Sequence, residues 1–399
     1  VFVFVLNCGS SSFKYQLLDM SNEHRVATGL VERIGLNDSV LVYEPSNGDK
    51  VKEISNIPNH EAAIKMVLDK LIDAKVGVIK SLSEITAVGH RVVHGAEKFS
   101  GSVQICDKVM AALEECVPMA PLHNPANITG IKAMQHALPG VPNVGVFDTA
   151  FHATMPAESY TYALPYEWYE QHHVRRYGFH GTSHRFVSER AAEMLGIAKD
   201  NFNCITCHMG NGSSYTAVKG GKSYDTSMGL TPLEGMVMGT RCGDIDAGLI
   251  SFLANNLKMS VADIDNTLNK KSGLLGISGV SSDMRDIETA AKEGNARAKL
   301  AIDVLRHRAL KYIGAYAIEL GRVDAIVFTG GIGENAIDFR GSVVERLSTL
   351  GIKLDAAANN VRGKEAIIST ADSPIKVMVV PTNEELVIAR DTKEIVGKK

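Results

Sequence analysis

Short apolar runs alternate with helical patterns along the whole chain, and that alternation restricts the fold to α/β architectures whose strands are largely buried. The runs include Val1 to Leu6, Val144 to Phe147, Ala325 to Phe328 and Ile375 to Val380. Between them, Ile64, Val67, Leu68, Leu71 and Ile72 mark one helix face at spacings of three and four, and Phe186, Val187, Arg190, Ala191, Met194 and Leu195 mark another. Gly196 stands where a helix C-terminal glycine belongs. Ala298 to Leu320 is apolar on much of its surface, the pattern of a helix packed on both sides. At 399 residues the chain outgrows a single core, so its length argues for two or three domains.

Charge and cysteine usage remove several functional classes. Lys and Arg total 42 against 45 Asp and Glu, so the chain lacks the basic excess of a nucleic-acid binder or a membrane-surface protein. The opening apolar run ends at Asn7, too short for a signal-peptide core or a membrane span, and reads as a buried strand. Cys8, Cys106, Cys116, Cys204, Cys207 and Cys242 follow no disulfide framework, which suits reduced thiols in a cytoplasm. Cys204 and Cys207 have redox-motif spacing but lie in a strand-like run, where residues three apart point to opposite faces.

A weak internal repeat suggests a duplicated unit. Val3 to Leu17 reads as a strand, the polar turn Asn7-Cys8-Gly9-Ser10-Ser11-Ser12, and a second strand. Cys204 to Val218 repeats the pattern around His208-Met209-Gly210-Asn211-Gly212-Ser213-Ser214. Such turns present consecutive backbone N–H groups and hydroxyls to an anion; either loop alone would pass as a hairpin turn, but the pair favours phosphate held by a duplicated α/β protein.

Ligands of open α/β sheets gather beyond the carboxyl ends of strands, so the polar residues ending each run are the candidates: Asn7, Asp148, His208, Gly330 to Asn335 and Glu384. Gly330 to Asn335 reads equally as a nucleotide-facing loop or a tight strand-to-helix turn. It is neither a Walker A loop nor a dinucleotide fingerprint, which removes P-loop NTPases and Rossmann dehydrogenases. Ten of the thirteen histidines lie between His90 and His208, with pairs His90/His94 and His180/His184 that could suit zinc. The interleaved Arg91, Arg175, Arg176 and Arg185 point instead to an anion. His123, between Pro121 and Pro125, reads by itself as a hydrogen-bonded loop residue. Arg241, between glycines, serves either a substrate oxyanion or a nearby carboxylate such as Asp244 or Asp246.

Together these residues resemble the acetokinase family of the sugar kinase, heat-shock ATPase and actin superfamily, essentially from end to end. The carrying motifs are Asn7 to Lys14, Gly89 to Gly95, Ala120 to Pro125, Val146 to His152, Arg176 to His184, Asp225 to Gly229, Thr231 to Gly235, Gly239 to Asp246, Gly330 to Asn335 and Pro381 to Glu385. Ala96 and Ser213 depart from the family pattern, which commonly has a second Gly at the first position and Ala or Gly at the second. The resemblance implies two duplicated actin-like (ribonuclease H-like) domains with a cleft between them, residues 1–150 plus 383–399 and residues 151–382, the second carrying the nucleotide site and dimer surface of a cytoplasmic homodimer.

It also implies ATP-dependent phosphorylation of acetate to acetyl phosphate, reversible toward ATP. The alternatives are a propionate or butyrate kinase, or a non-catalytic actin-like nucleotide switch. By resemblance Asn7 and Glu384 hold Mg²⁺. The phosphate loops use Ser10, Ser12 and Lys14, then His208, Gly210, Asn211 and Gly212. Asp283, Met284 and Arg285 contact nucleotide, although without the resemblance they read as a helix start after Ser282. Gly331, Ile332, Gly333, Glu334 and Asn335 form the adenosine-side loop. Arg91, Asp148, His180 and Arg241 make the catalytic centre with His123 beside it, and Val93, Leu122, Phe179 and Pro232 a small apolar acyl pocket. A carboxylate acceptor is already ionised at neutral pH, so Asp148 is expected to orient an Arg or metal-bound water rather than to remove a proton.

Overall fold

The opening apolar run forms β1 (Phe2–Cys8), and the polar turn after it leads into β2 (Phe13–Asp19). The meander continues through β3 (His24–Glu32), β4 (Ser39–Pro45) and β5 (Val51–Ser55), all antiparallel. On its other side β1 pairs in parallel with β6 (Ile85–Val92), which pairs in parallel with β8 (Asn143–Phe147). The two-residue β7 (Val103–Gln104) closes that edge, giving the order β5-β4-β3-β2-β1-β6-β8-β7. Helix His60–Leu71 buries Ile64, Val67, Leu68 and Leu71 of the predicted face in one cluster with Phe4, Leu6 and Tyr15, while Ile72, just past its last turn, is exposed. Asn59 caps its first turn by accepting from the Ala62 N–H. The final helix, Glu384–Gly397, lies so close to β6 that a Cβ on Gly89 would come within 2.4 Å of Thr392 and 2.6 Å of Ile388. Only glycine fits there.

The second sheet repeats this plan. Its antiparallel strands β9 (Cys204–Met209), β10 (Ser213–Lys219) and β11 (Lys222–Thr226) correspond to β1, β2 and β3. Parallel β12 (Ala325–Thr329) and β14 (Lys376–Val379) follow β9 as β6 and β8 follow β1, and β13 (Ala366–Ile367) is the edge. The strand order β11-β10-β9-β12-β14 therefore duplicates β3-β2-β1-β6-β8. The computed structural model describes residues 1–398 and separates into two units, Val1–Phe151 with the chain from Asn383 onward, and His152–Thr382.

In the second unit the Gly181–Leu195 helix ends at Gly196, whose φ of 66° and N–H bonds to the Ala192 and Glu193 carbonyls make the expected left-handed cap. The Ala296–Leu320 helix departs from its expectation. Ala298, Ala301, Leu305, Ala309 and Ile313 form one buried stripe, while Leu300 and Ile318 are exposed, so its packing is one-sided. Apolar content is not burial: partly buried Ile302, Val304 and Leu310 flank the stripe and only widen it. Among the described residues no helix is long and apolar enough to cross a membrane.

Candidate active site

Parallel pairing of β1, β6 and β8 brings their carboxyl ends to one edge of the first sheet, and that edge gathers Asn7, Arg91 and Asp148. Asp148 is 1% exposed and accepts from Arg91 Nε at 2.9 Å and Nη2 at 2.7 Å, a two-pronged ion pair. Asn7 Oδ1 lies 3.5 Å from Arg91 Nη1. Burial disfavours the Arg91 charge, but Asp148 and the carboxylates of Glu384 and Glu385 outweigh it, so the guanidinium holds its proton more tightly than a free Arg. Burial, then the charge of Glu384, raises the Glu385 carboxyl above its ordinary value.

Beyond β6 the chain is fixed by two buried amides of the Asn124–Ala137 helix. Asn127 accepts from the Val93 N–H and donates to the Cys8 carbonyl, while Asn124 accepts from the His94 N–H and donates to its carbonyl. Sequence reasoning passed over both, although an Asn-Pro-x-Asn stretch at a helix start was the available signal. His123 is half-buried just before that helix. Ser10 and Lys14 are exposed, Ser12 is half-buried, and a Gly9 N–H bond to the Ser12 carbonyl closes the first loop. Ala96 takes φ 48°, the left-handed region that glycine enters at no cost, which accounts for glycine as the commoner residue of the family pattern there.

In the second unit His180, at φ 56°, precedes the Gly181–Leu195 helix. Its ring stacks on His208 at 4.2 Å, and its Nδ1 lies 2.9 Å from Ser214 Oγ. His208 Nδ1 bonds Ser183, which accepts from Thr382. A Cβ built on Gly212 would sit 3.4 Å from His180 Nε2 and 3.5 Å from Arg241 Nη1, so both side chains converge on the Gly210–Gly212 turn. Arg241 also donates to the Pro232 carbonyl at 3.3 Å, whereas Asp244 is engaged by the Gly235 N–H and Tyr312. Arg308 also approaches Asp244, at 3.5 Å.

A cavity of about 670 Å³ opens in this unit between the second loop and the Gly330–Asn335 turn. Gly210, Asn211, Asp283, Met284, Arg285, Gly331, Ile332 and Asn335 line it. His208, Gly212, Gly333 and Glu334 are not among its lining residues. Glu334 turns inward, accepting from the Gly330 and Thr382 N–H groups, and buried Gly333 offers its carbonyl to Arg340. The segment is a strand-to-helix turn and a cavity wall at once. Asp283 likewise serves both readings: it caps the Met284–Lys292 helix by accepting from the Arg285 N–H, and it lines the cavity. Ser282, Glu288, Ala336 and Arg362 also line it and were not singled out in sequence. Glu288 follows Met284 by one helical turn, which was a usable signal; Arg362, bonded to the Asn335 carbonyl, lies in an irregular segment that gave none.

Of the expected acyl pocket, Val93 and Phe179 are buried, Pro232 is half-buried and Leu122 is 58% exposed. A wall so exposed shields little, and Leu122 sits in a turn rather than in a packed element. The histidine pair His90/His94 is no zinc motif. His90 lies in β6, bonded to Asn143 at 2.7 Å, and among the described residues no group of three or more His, Cys, Asp or Glu is placed to hold a metal. Burial pushes the Cys204 and Cys207 thiols far up, away from redox reactivity.

The acetokinase family model matches residues 2–390. The chain belongs to the acetokinase family. An acetate kinase of Treponema denticola is 59% identical over 394 residues, 99% of this chain and 99% of that protein. The crystal structure of the Porphyromonas gingivalis acetate kinase matches with a TM-score of 0.95 at 52% identity, covering 99% of both chains. A propionate kinase structure from Francisella tularensis subsp. tularensis matches with a TM-score of 0.93 at 44% identity, again over 99% of both. The repeated strand order is the duplicated actin-like fold of the acetokinase family.

Proposed function

We propose that this chain transfers the γ-phosphoryl group of ATP to acetate, giving acetyl phosphate and ADP, and catalyses the reverse reaction. The observation that carries the reading is the second unit's cavity: in a member of the acetokinase family, the glycine-rich second loop and the Gly331–Asn335 wall open onto one nucleotide-sized space. Adenosine is assigned to Gly331, Ile332 and Asn335 with Asp283 to Arg285, and the phosphates to the Gly210–Gly212 turn and the first loop of Ser10, Ser12 and Lys14.

Phosphoryl transfer needs positioning and charge stabilisation more than covalent help. Arg91, aimed by Asp148, and Arg241 with His180 supply positive charge and hydrogen bonds to the transferring group, with His123 beside them. The acetate carboxylate attacks as it stands, because it is ionised at neutral pH. Asn7 and Glu384 offer hard oxygen donors facing Arg91, a set that suits Mg²⁺ shared with nucleotide phosphates and water. When bound there, the ion would neutralise phosphate charge.

Acetate is favoured as acceptor because the relatives at 59% and 52% identity are named acetate kinases. The propionate kinase neighbour keeps propionate as the second reading. Free thiols at all six cysteines support a reducing cytoplasm. Exposed Phe252, Leu257 and Val261, from the Gly248–Asn256 helix to the start of Val261–Lys270, support a homodimer formed through the second unit. A coupled assay of ADP formation with acetate, propionate and butyrate tests the function: the highest kcat/KM is expected with acetate. Nucleotide binding without carboxylate-dependent turnover would favour a switch instead.

A further inference from the structure

We propose that Thr206, His184 and Ser214 form a one-way hydrogen-bond chain that fixes the tautomer of His180, so that its neutral ring presents an Nε2–H donor toward the Gly210–Gly212 turn. The inference rests on the reading of that turn as a phosphate site.

The chain is short at every link. Thr206 Oγ1 lies 2.7 Å from His184 Nδ1, His184 Nε2 lies 2.7 Å from Ser214 Oγ, and Ser214 Oγ lies 2.9 Å from His180 Nδ1. Thr206, His184 and Ser214 are all fully buried. Burial, with the charges of His152 and His208, keeps the His184 ring neutral, so it carries one N–H. Ser214 has a single proton for two ring nitrogens, and the chain can therefore run in one of two directions.

If His184 donated from Nδ1, the Thr206 proton would have to reach the Thr216 carbonyl at 3.5 Å. That distance makes a poor bond and leaves a buried donor poorly satisfied. In the other direction every proton lies in a link of 2.7–2.9 Å: Thr206 donates to His184, His184 to Ser214, and Ser214 to His180 Nδ1. His180 then carries its proton on Nε2, the nitrogen nearest a Cβ built on Gly212.

Within its own unit the titratable groups against His180 are His208, stacked at 4.2 Å, His184 at 6.5 Å, and Arg241 across Gly212. All three are basic. His180 therefore gives a phosphoryl oxygen a hydrogen bond without needing to be charged, and keeps it as pH rises past the ordinary histidine range near ~6.5. Thr206, His184 and Ser214 are positioning residues acting through it.

The direct test is ¹⁵N NMR of the histidine-labelled full chain at mildly alkaline pH, with signals assigned through His180→Gln and His184→Gln. Both rings are expected to be protonated on Nε2 and bare on Nδ1. A proton on Nδ1 of either ring, or a doubly protonated His180, overturns the proposal whatever the activity. Kinetically, Ser214→Ala should lose about 10²-fold in kcat at alkaline pH with little change in KM for ATP, and recover toward acid pH as His180 gains charge. Ser214→Thr, which restores the hydroxyl, should restore the flat profile. A loss in Ser214→Ala that is equal at every pH overturns the relay and leaves a packing role. Wild-type protein without acetate-dependent turnover would instead remove the phosphotransfer reading, while the tautomer result would stand.

Discussion

Asp148 grips Arg91 through both carboxylate oxygens, at 2.9 Å to Nε and 2.7 Å to Nη2, from a position closed to solvent. The pair fixes the direction of the guanidinium, which makes Asp148 a positioning group. Asp148→Asn keeps the shape but offers one acceptor oxygen and sets an NH₂ group against the donors of Arg91. We expect kcat to fall by about 10²- to 10³-fold with little change in KM for ATP. Because the effect passes through Arg91, neither higher Mg²⁺ nor replacement by Mn²⁺ should restore activity. Recovery in a metal titration would place Asp148 at the ion instead.

Gly331 in the cavity wall and its neighbour Gly330 should respond in opposite ways. A Cβ on Gly331 meets nothing within 4 Å, and the residue sits in a short helix. Gly331→Ala should therefore leave stability unchanged or gain roughly 0.5–1 kcal/mol. Its methyl group enters the nucleotide space, so KM for ATP should rise several-fold at nearly constant kcat. Gly330 has φ 77° and its Cβ would come 2.7 Å from the Met209 carbonyl. Gly330→Ala should lose at least about 1–2 kcal/mol. Thermal melts and ATP titrations of the two variants check the contrast, and a destabilised Gly331→Ala with normal KM would remove Gly331 from the nucleotide wall.

What was legible in the sequence was what local pattern encodes. β1, β9 and β12, the cap at Gly196, and the polar residues that end each strand follow from periodicity and turn chemistry within a few residues. The two loops were readable because duplication repeats one pattern at two places. The direction in which a side chain turns was not. Glu334 stands in a motif with Asn335, yet one binds the turn's own N–H groups and the other faces the cavity. Arg362 reaches that cavity by tertiary packing alone, and Leu122 and Ile318 show that an apolar letter does not fix burial.

His90 gives stability a specific pH dependence. Burial in β6 lowers its pKa to about 4, against which the bond to Asn143 is a lesser, opposing effect. The unfolded ring titrates near ~6.5, so between these values the unfolded state binds more protons and stability rises with pH. The contribution is fully present above ~6.5 and is lost as pH falls through about 4, amounting to roughly 3 kcal/mol at 1.36 kcal/mol per unit. His90→Gln does not titrate and can still donate to Asn143. Urea unfolding should show wild type ahead at neutral pH and the gap narrowing as the solution is acidified. A gap independent of pH would mean that His90 is protonated equally in both states.

Chain-length selectivity can be tested at Val93, two residues beyond Arg91 and 7% exposed, with its N–H held by Asn127. The backbone there is fixed by the amide, so shortening the side chain should enlarge the space beside the Arg91 clamp without moving the clamp itself. Core packing explains a buried valine equally well, and the two roles separate in their readouts. As packing alone, Val93→Ala would lower stability and change both substrates alike. As an acyl wall, it should raise kcat/KM for propionate relative to acetate. One methylene is worth about 1–3 kcal/mol of discrimination, so the wild-type preference for acetate should be partial and the variant should shift the ratio by roughly 10-fold. An unchanged ratio in Val93→Ala would exclude this residue from the acyl wall and leave the phosphotransfer assignment intact.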